Sequence, residues 1–165
     1  MNQESIRDKL ASRFGEEVVQ AATAFRDQMS VTIAKEDVLD VCRFLRDDPE
    51  LAFDMLSFVA GLDRYPETPR FEVVYQLYST GLHHRFRVKT LLEQTGDKSQ
   101  PVDSVFPIWP TADWHERETA EMFGIVFANH PDPRKLLLPE HWKVHPLRKD
   151  FPVEGTEEDT PDLPT

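Results

Sequence analysis

Phe71-Glu72-Val73-Val74-Tyr75-Gln76-Leu77-Tyr78, followed by Ser79-Thr80-Gly81-Leu82 and then Arg85-Phe86-Arg87-Val88-Lys89, is the stretch that decides the fold. Phe71, Val73, Tyr75 and Leu77 alternate with Glu72, Gln76 and Tyr78, and Phe86 and Val88 alternate with Arg85, Arg87 and Lys89. Successive side chains of a strand point to opposite faces, so the pattern predicts two strands joined by a loop. The basic stripe of the second strand reads as a solvated sheet face. His83 and His84 fall at the loop and read as exposed.

The flanking chain supplies the rest of a two-layer α+β sandwich in the order α-β-β-α-β-β-β. Ile6, Leu10 and Phe14 recur at four-residue spacing. Ser5 with Asp8 resembles a capping box and Gly15 a stop, which predicts a helix from Ser5 to Phe14. Residues 17–26 and 29–34 read as strands. Glu36 to Arg46 reads as a helix with Val38, Val41, Cys42 and Leu45 on one face. Leu51 to Phe58 is expected to continue as helix, with Val59 to Asp63 extended. Glu93 to Ser104 is polar, contains Gly96 and Pro101, and reads as a loop.

The chain has 165 residues, enough for one core domain with a tail. Cys42 is its one cysteine, so no internal disulfide forms and no thiolate cluster can hold iron–sulfur or structural zinc. A reducing compartment is expected. No apolar run approaches the roughly 20 residues that span a bilayer, and no signal-peptide pattern is expected. The net charge of −11 argues against nucleic acid or anionic lipid as the main ligand. Between Arg134 and Lys149 the balance reverses: Arg134, Lys135, Lys143, Arg148 and Lys149 face Glu140. That stretch is either a docking surface or a solvated charge run. No Gly-rich loop follows a strand, so nothing in the chain points to nucleotide or flavin.

Trp109 to Gly124 is the densest stretch. Thr111 can cap a helix that runs to Phe123 and closes at a left-handed Gly124. On it Trp114, Arg117, Glu118 and Glu121 share a stripe, which suits an ion-pair network better than acid/base machinery. His115-Glu116 lacks the second histidine of a zinc-protease helix. After Phe127, prolines 131, 133, 139, 146, 152 and 161 break every periodicity. A long irregular arm is expected. Its Leu136, Leu137, Leu138, Trp142 and Leu147 need burial, against a partner or back on its own sheet; the partner is the favoured reading. His130, His141 and His145 lie in this arm at spacings that fit no common metal site. The expected division is residues 1–104 as core domain, 105–153 as helix and arm, and 154–165 as an acidic tail.

These residues carry a resemblance. Glu116-Arg117-Glu118, Glu121-Met122-Phe123-Gly124-Ile125, Phe127, His130-Pro131-Asp132, Arg134, Leu136-Leu137-Leu138-Pro139-Glu140, Trp142 and His145-Pro146-Leu147-Arg148-Lys149-Asp150-Phe151-Pro152 resemble the signature of the 30-kilodalton subunit family of respiratory complex I, the C-type subunits of bacteria. Glu121 stands where that family more often has aspartate, Pro133 replaces a usual leucine and Val144 a usual glycine. The chain is similar to the stand-alone form, without a fused quinone-site (D-type) subunit. The resemblance implies a non-catalytic, cofactor-free subunit of the peripheral arm of an NADH:quinone oxidoreductase, at the cytoplasmic face of the cell membrane and in contact with it only through the complex. FMN, Fe–S clusters and quinone belong to partner subunits. It further implies that Glu116, Arg117, Glu118 and Glu121 organise the helix, and that His130 to Pro152 lies along the quinone-site subunit, near the other peripheral-arm subunits. Related subunits of membrane-bound hydrogenases and of ferredoxin- or deazaflavin-coenzyme-linked dehydrogenases share the pattern, and a free-standing carboxylate enzyme is the remaining alternative.

Overall fold

In the computed structural model, which describes residues 2–26 and 28–156, a mixed five-stranded sheet carries its helices on one face. The helix α1 (Gln3–Phe14) leads into β1 (Val19–Phe25) and β2 (Gln28–Ile33). A 3-10 turn at Lys35–Asp37 starts α2 (Val38–Asp47). Then come β3 (Met55–Asp63), β4 (Phe71–Ser79) and β5 (His84–Leu92). The sheet order is β1-β2-β5-β4-β3, with β2 parallel to β5 and the other neighbours antiparallel. The hairpin of β4 and β5 is central, and its register runs unbroken from Phe71 opposite Leu92 to Ser79 opposite His84.

The alternation of the hairpin decides which face is covered. Phe71, Val73, Tyr75, Leu77, Phe86 and Val88 are fully buried, together with Ile6 and Leu10 of α1 and Val41, Cys42 and Leu45 of α2. On the opposite face Arg87 donates to Gln76 and Gln28, and Lys89 pairs with Glu72 at 2.9 Å. That face is the solvated stripe expected from the sequence. His84 differs from expectation: it is half-buried, and its Nε2 lies 2.7 Å from the Leu51 carbonyl.

Residues 51–58 do not continue as helix. The segment 48–54 turns, with Ala52 at φ 43, and β3 has begun by Met55. Leu51, Phe53 and Leu56 are all buried, so the apolar spacing that mimics a helix is a turn feeding a strand with an irregularity between Leu56 and Phe58. Nor is 93–104 a plain loop. It holds β6 (Gln94–Thr95) paired with β7 (Lys98–Ser99), then β8 (Pro101–Asp103), which runs parallel to β9 (Val126–Ala128). At the N-terminus the cap is Asn2, whose side chain accepts from Ser5 N–H at 2.8 Å, so the helix starts earlier than the Ser5 box suggests.

The third helix, α3 (Ala112–Phe123), lies along β3. Gly61 makes that approach possible: a Cβ there would sit 2.8 Å from atoms of both Phe123 and Thr119. Val105, Ile108, Trp109, Ala112 and Ile125 join the same core as the sheet, and Trp109 Nε1 donates to the Phe53 carbonyl at 3.0 Å. Thr111 makes no cap hydrogen bond with its side chain, while Gly124 closes the helix at φ 74 as expected. Replacing Gly61 by valine overpacks the α3–β3 contact and is expected to destabilise the fold by about 2 kcal/mol, measured by denaturant unfolding.

Candidate functional site: the seam between α3 and the C-terminal arm

Beyond β9, residues 129–156 contain no helix or strand. A backbone without a ladder still carries an N–H and a C=O at almost every residue, and each needs a partner where water is excluded. A helix C-terminus has the matching problem, since its last four carbonyls lack intrahelical donors. In this chain the two solve each other.

The last carbonyls of α3 are taken one by one. Gly124 N–H donates to Ala120 O at 2.8 Å, and Leu147 N–H to Met122 O at 3.2 Å. His145 Nδ1–H donates to Glu121 O at 2.7 Å, and Arg148 Nε–H to Phe123 O at 2.7 Å. The sequence from His145 to Arg148 is therefore a capping module for α3. A cation at a helix C-terminus also complements the helix dipole. Gly124 is required twice over. Its φ is 74, and a Cβ would collide with Arg148 and His145. Burial pushes the His145 pKa down, so its ring is held neutral with the Nδ1 proton on the helix.

Conversely, α3 side chains serve the arm. The Glu121 carboxylate accepts from the backbone N–H groups of Leu136 (3.0 Å), Leu137 (2.9 Å) and Leu138 (3.2 Å). Arg117 donates from Nε to the Arg134 carbonyl at 2.8 Å and from Nη2 to the Lys135 carbonyl at 3.2 Å. Arg117 and Glu121 thus hold five consecutive residues of an irregular segment. Charged partners make such bonds stronger than neutral ones, each on the order of 1.5–3 kcal/mol.

The arm's far end is held by the sheet. Asp63, at the end of β3, accepts from Arg70 Nε (2.9 Å) and Nη2 (2.8 Å) and from the N–H groups of Tyr65 (3.0 Å) and Lys149 (2.9 Å). Arg70 also reaches Asp150 at 2.7 Å. Burial opposes ionisation of Asp63, yet these donors hold its pKa down at about 2. Asp63 and Arg70 escape a reading of the sequence, because their partners lie far along the chain: Lys149 is 86 residues from Asp63, and Asp150 is 80 from Arg70.

Glu116 plays a different part from its neighbours. It is fully buried; its carboxyl meets Ser104 Oγ at 2.5 Å and accepts from Val105 N–H at 2.8 Å. Both are neutral donors. His130 Nε2 is 3.8 Å from Glu116, but His130 Nδ1 accepts from Asp132 N–H, so the ring proton is on Nε2 and points to the Asp113 carbonyl. With burial as the main cause and no salt-bridge partner, the Glu116 pKa rises from its ordinary 4.5 to about 7.

The expected stripe of Trp114, Arg117, Glu118 and Glu121 divides. Arg117 and Glu121 face the arm, while Trp114 and Glu118 are exposed. Of the arm, Pro131, Arg134, Pro139, Lys149 and Pro152 are exposed, and Pro146, Trp142 and Phe151 are half-buried. Leu137 is 62% exposed and Leu147 56% exposed, although the backbone of each is hydrogen-bonded to α3. The arm thus folds back through its backbone while two of its apolar side chains face outward. A cavity of about 250 Å³ remains between α3, β9 and the arm, lined by Glu116, Phe127, His130, Lys135 and His145 among others. Among the described residues no group of three or more His, Cys, Asp or Glu is placed to hold a metal.

The family model described as respiratory-chain NADH dehydrogenase, 30 Kd subunit, matches residues 31–157. The chain belongs to that family. The C-type subunit of NADH-quinone oxidoreductase from Roseiflexus castenholzii is 46% identical over 137 residues, covering 83% of this chain and 76% of the relative. The second C-type subunit of Rhizobium etli is 43% identical over 149 residues, covering 90% and 77%. The C-type subunit of Geotalea uraniireducens is 37% identical over 147 residues, covering 89% and 86%. The fold is similar to a chain in the structure of the membrane-bound sulfane sulfur reductase, an archaeal respiratory membrane complex, with a TM-score of 0.70 at 22% identity, covering 91% of this chain and 85% of that one. Of the signature residues in this 30-kilodalton subunit fold, Arg117, Glu121, His145, Leu147 and Arg148 join α3 to the arm, Glu116 binds Ser104 and Val105, and Asp150 ties the arm to the sheet.

Two outcomes follow. The folded chain holds the Glu116 proton to about pH 7, whereas the unfolded chain releases it near 4.5. Stability relative to Glu116→Gln is therefore expected to fall by about 3 kcal/mol as pH rises through that window, and to level off above it, in paired denaturant titrations. Glu121→Ala leaves three arm N–H groups without their acceptor, and is expected to raise the rate of limited proteolysis within 134–140 about tenfold while α2 and the sheet stay protected.

Proposed function

We propose that this chain is a non-catalytic, cofactor-free subunit of the peripheral arm of a proton-translocating NADH:quinone oxidoreductase. In that assembly electrons pass from NADH through FMN and Fe–S clusters to quinone, all held by other subunits. This chain braces the quinone-site subunit, with residues 130–152 seated along it on the cytoplasmic side of the membrane. No helix among the described residues is long and apolar enough to cross a membrane; in this reading the partner subunits carry the membrane association.

The observation that carries this reading is an arm whose backbone is fixed while its anchors face outward. Leu137 and Leu147 are each more than half exposed, beside the basic run from Arg134 to Lys149. A pre-ordered segment loses less conformational freedom on binding, which favours tight docking. The same geometry argues against carboxylate catalysis, since three backbone donors occupy Glu121. Identities of 37–46% with NADH-quinone oxidoreductase subunits, against 22% with the sulfane sulfur reductase chain, favour the NADH-linked assembly over a hydrogenase-type or ferredoxin-linked one.

Leu137→Ala and Leu147→Ala remove exposed side chains, so the free chain is expected to stay within about 0.5 kcal/mol of wild-type stability. In native gels of membranes, combining both with Trp142→Ala is expected to lower assembled complex severalfold, because anchors of this kind contribute about 2 kcal/mol each at an interface. Unchanged complex levels would contradict the bracing role.

A further inference from the structure

The sheet ends at β3, with no described strand beyond it. From Phe58 to Leu62 this edge reads Phe-Val-Ala-Gly-Leu, with no charge and no proline. Natural edge strands are usually blunted by charges, proline or a covering element, because their free N–H and C=O groups pair with any strand that meets them. Here the register shift between Leu56 and Phe58 turns both Met55 and Phe58 to the open face, along with Leu62. Met55 is 47%, Phe58 37% and Leu62 44% exposed. On α3, which lies along β3, Trp114 is 66% exposed, and Glu118 one turn later is exposed with no hydrogen bond or ion pair among the described residues. Apolar side chains therefore flank a strand edge that no described strand pairs; at its start the Leu56 carbonyl accepts from Thr111 Oγ1 at 3.5 Å, and the helix along it carries the unpaired Glu118 carboxylate. The arm reaches only the far end of this edge, where Lys149 N–H donates to Asp63, while Arg117 and Glu121 of α3 are engaged with the arm.

We propose that the free edge of β3 accepts an extended segment of a partner subunit as a sixth strand. The segment is apolar where it meets Met55, Phe58 and Leu62, and basic where it passes Glu118. Charge selects this occupant over a second copy of the chain: a copy would bring another net charge of −11 and a second unpaired Glu118 into one contact. Main-chain hydrogen bonds along β3 supply affinity, and the flanking side chains supply selectivity. The inference rests on the chain being a subunit of a larger assembly, as proposed above, and adds a contact separate from the arm.

The test compares hydrogen exchange of the outward amides between Phe58 and Leu62 in the purified full chain and in the purified complex. Exchange at least about tenfold slower in the complex is expected. Phe58→Lys with Leu62→Lys, both on the open face, is expected to keep the melting temperature of the free chain and to reduce its recovery in the complex about fivefold. A complex that contains the chain with these amides exchanging as in the free state overturns the edge contact and leaves the arm reading standing. Absence of the chain from any complex overturns both. Sedimentation of the isolated chain as a dimer that the lysine variant dissociates overturns the partner strand in favour of self-pairing.

Discussion

An irregular segment needs hydrogen-bond partners for its backbone, and in this protein a single helix provides many of them. Glu121 and Arg117 reach from α3 to five consecutive arm residues, and the arm returns donors to the carbonyls of Glu121, Met122 and Phe123. Neither element is complete without the other. The arm has no ladder of its own, and the end of α3 would otherwise bury carbonyls without donors. The position of α3 depends in turn on Gly61, which lets the helix approach β3, and on Gly124, which opens the turn that admits His145 and Arg148.

The charges along this seam are used in two opposite ways. Asp63 is buried yet surrounded by donors, two of them from Arg70, and stays ionised far into acid. Its contribution to stability is present above its ordinary pKa near 3.8 and is lost as pH falls through about 2. Glu116 is buried among neutral donors and favours its proton up to about pH 7, so its contribution runs the other way. The protein therefore has one latch insensitive to physiological pH, at the far end of the arm, and one group beside His130 that is sensitive to it. Cys42 and Tyr75, both fully buried, feel the Glu116 charge as well, and burial pushes both of their pKa values up.

The central hairpin is legible in the sequence because alternation over nine residues leaves little choice of face, and α3 because Gly124 marks its end. The segment 51–58 misleads for a physical reason: Leu51, Phe53 and Leu56 are buried by a turn and an irregular strand, and their spacing imitates a helical stripe. Two-residue strands such as Gln94–Thr95 carry no period at all. The signature residues can be recognised from their pattern, which suggests an ion-pair network. Some of that network is present, as Arg117 lies 3.6 Å and Arg134 2.7 Å from Asp132, but the partners that hold the arm are backbone groups 15 to 25 residues away, as with Glu121 to Leu136 and Arg148 to Phe123, and backbone groups leave no mark in a sequence. The acidic residues Glu157, Glu158, Asp159 and Asp162 of the expected tail lie outside the described residues.

A segment that presents anchors on a fixed backbone behaves differently from one that folds only when it meets its partner. The most direct measurement is backbone ¹⁵N relaxation of the isolated chain across residues 134–150. If α3 holds the arm, order parameters there will match the sheet at about 0.85. Values below about 0.6 through the same residues, with the sheet still rigid, would show that the seam does not form until a partner is present.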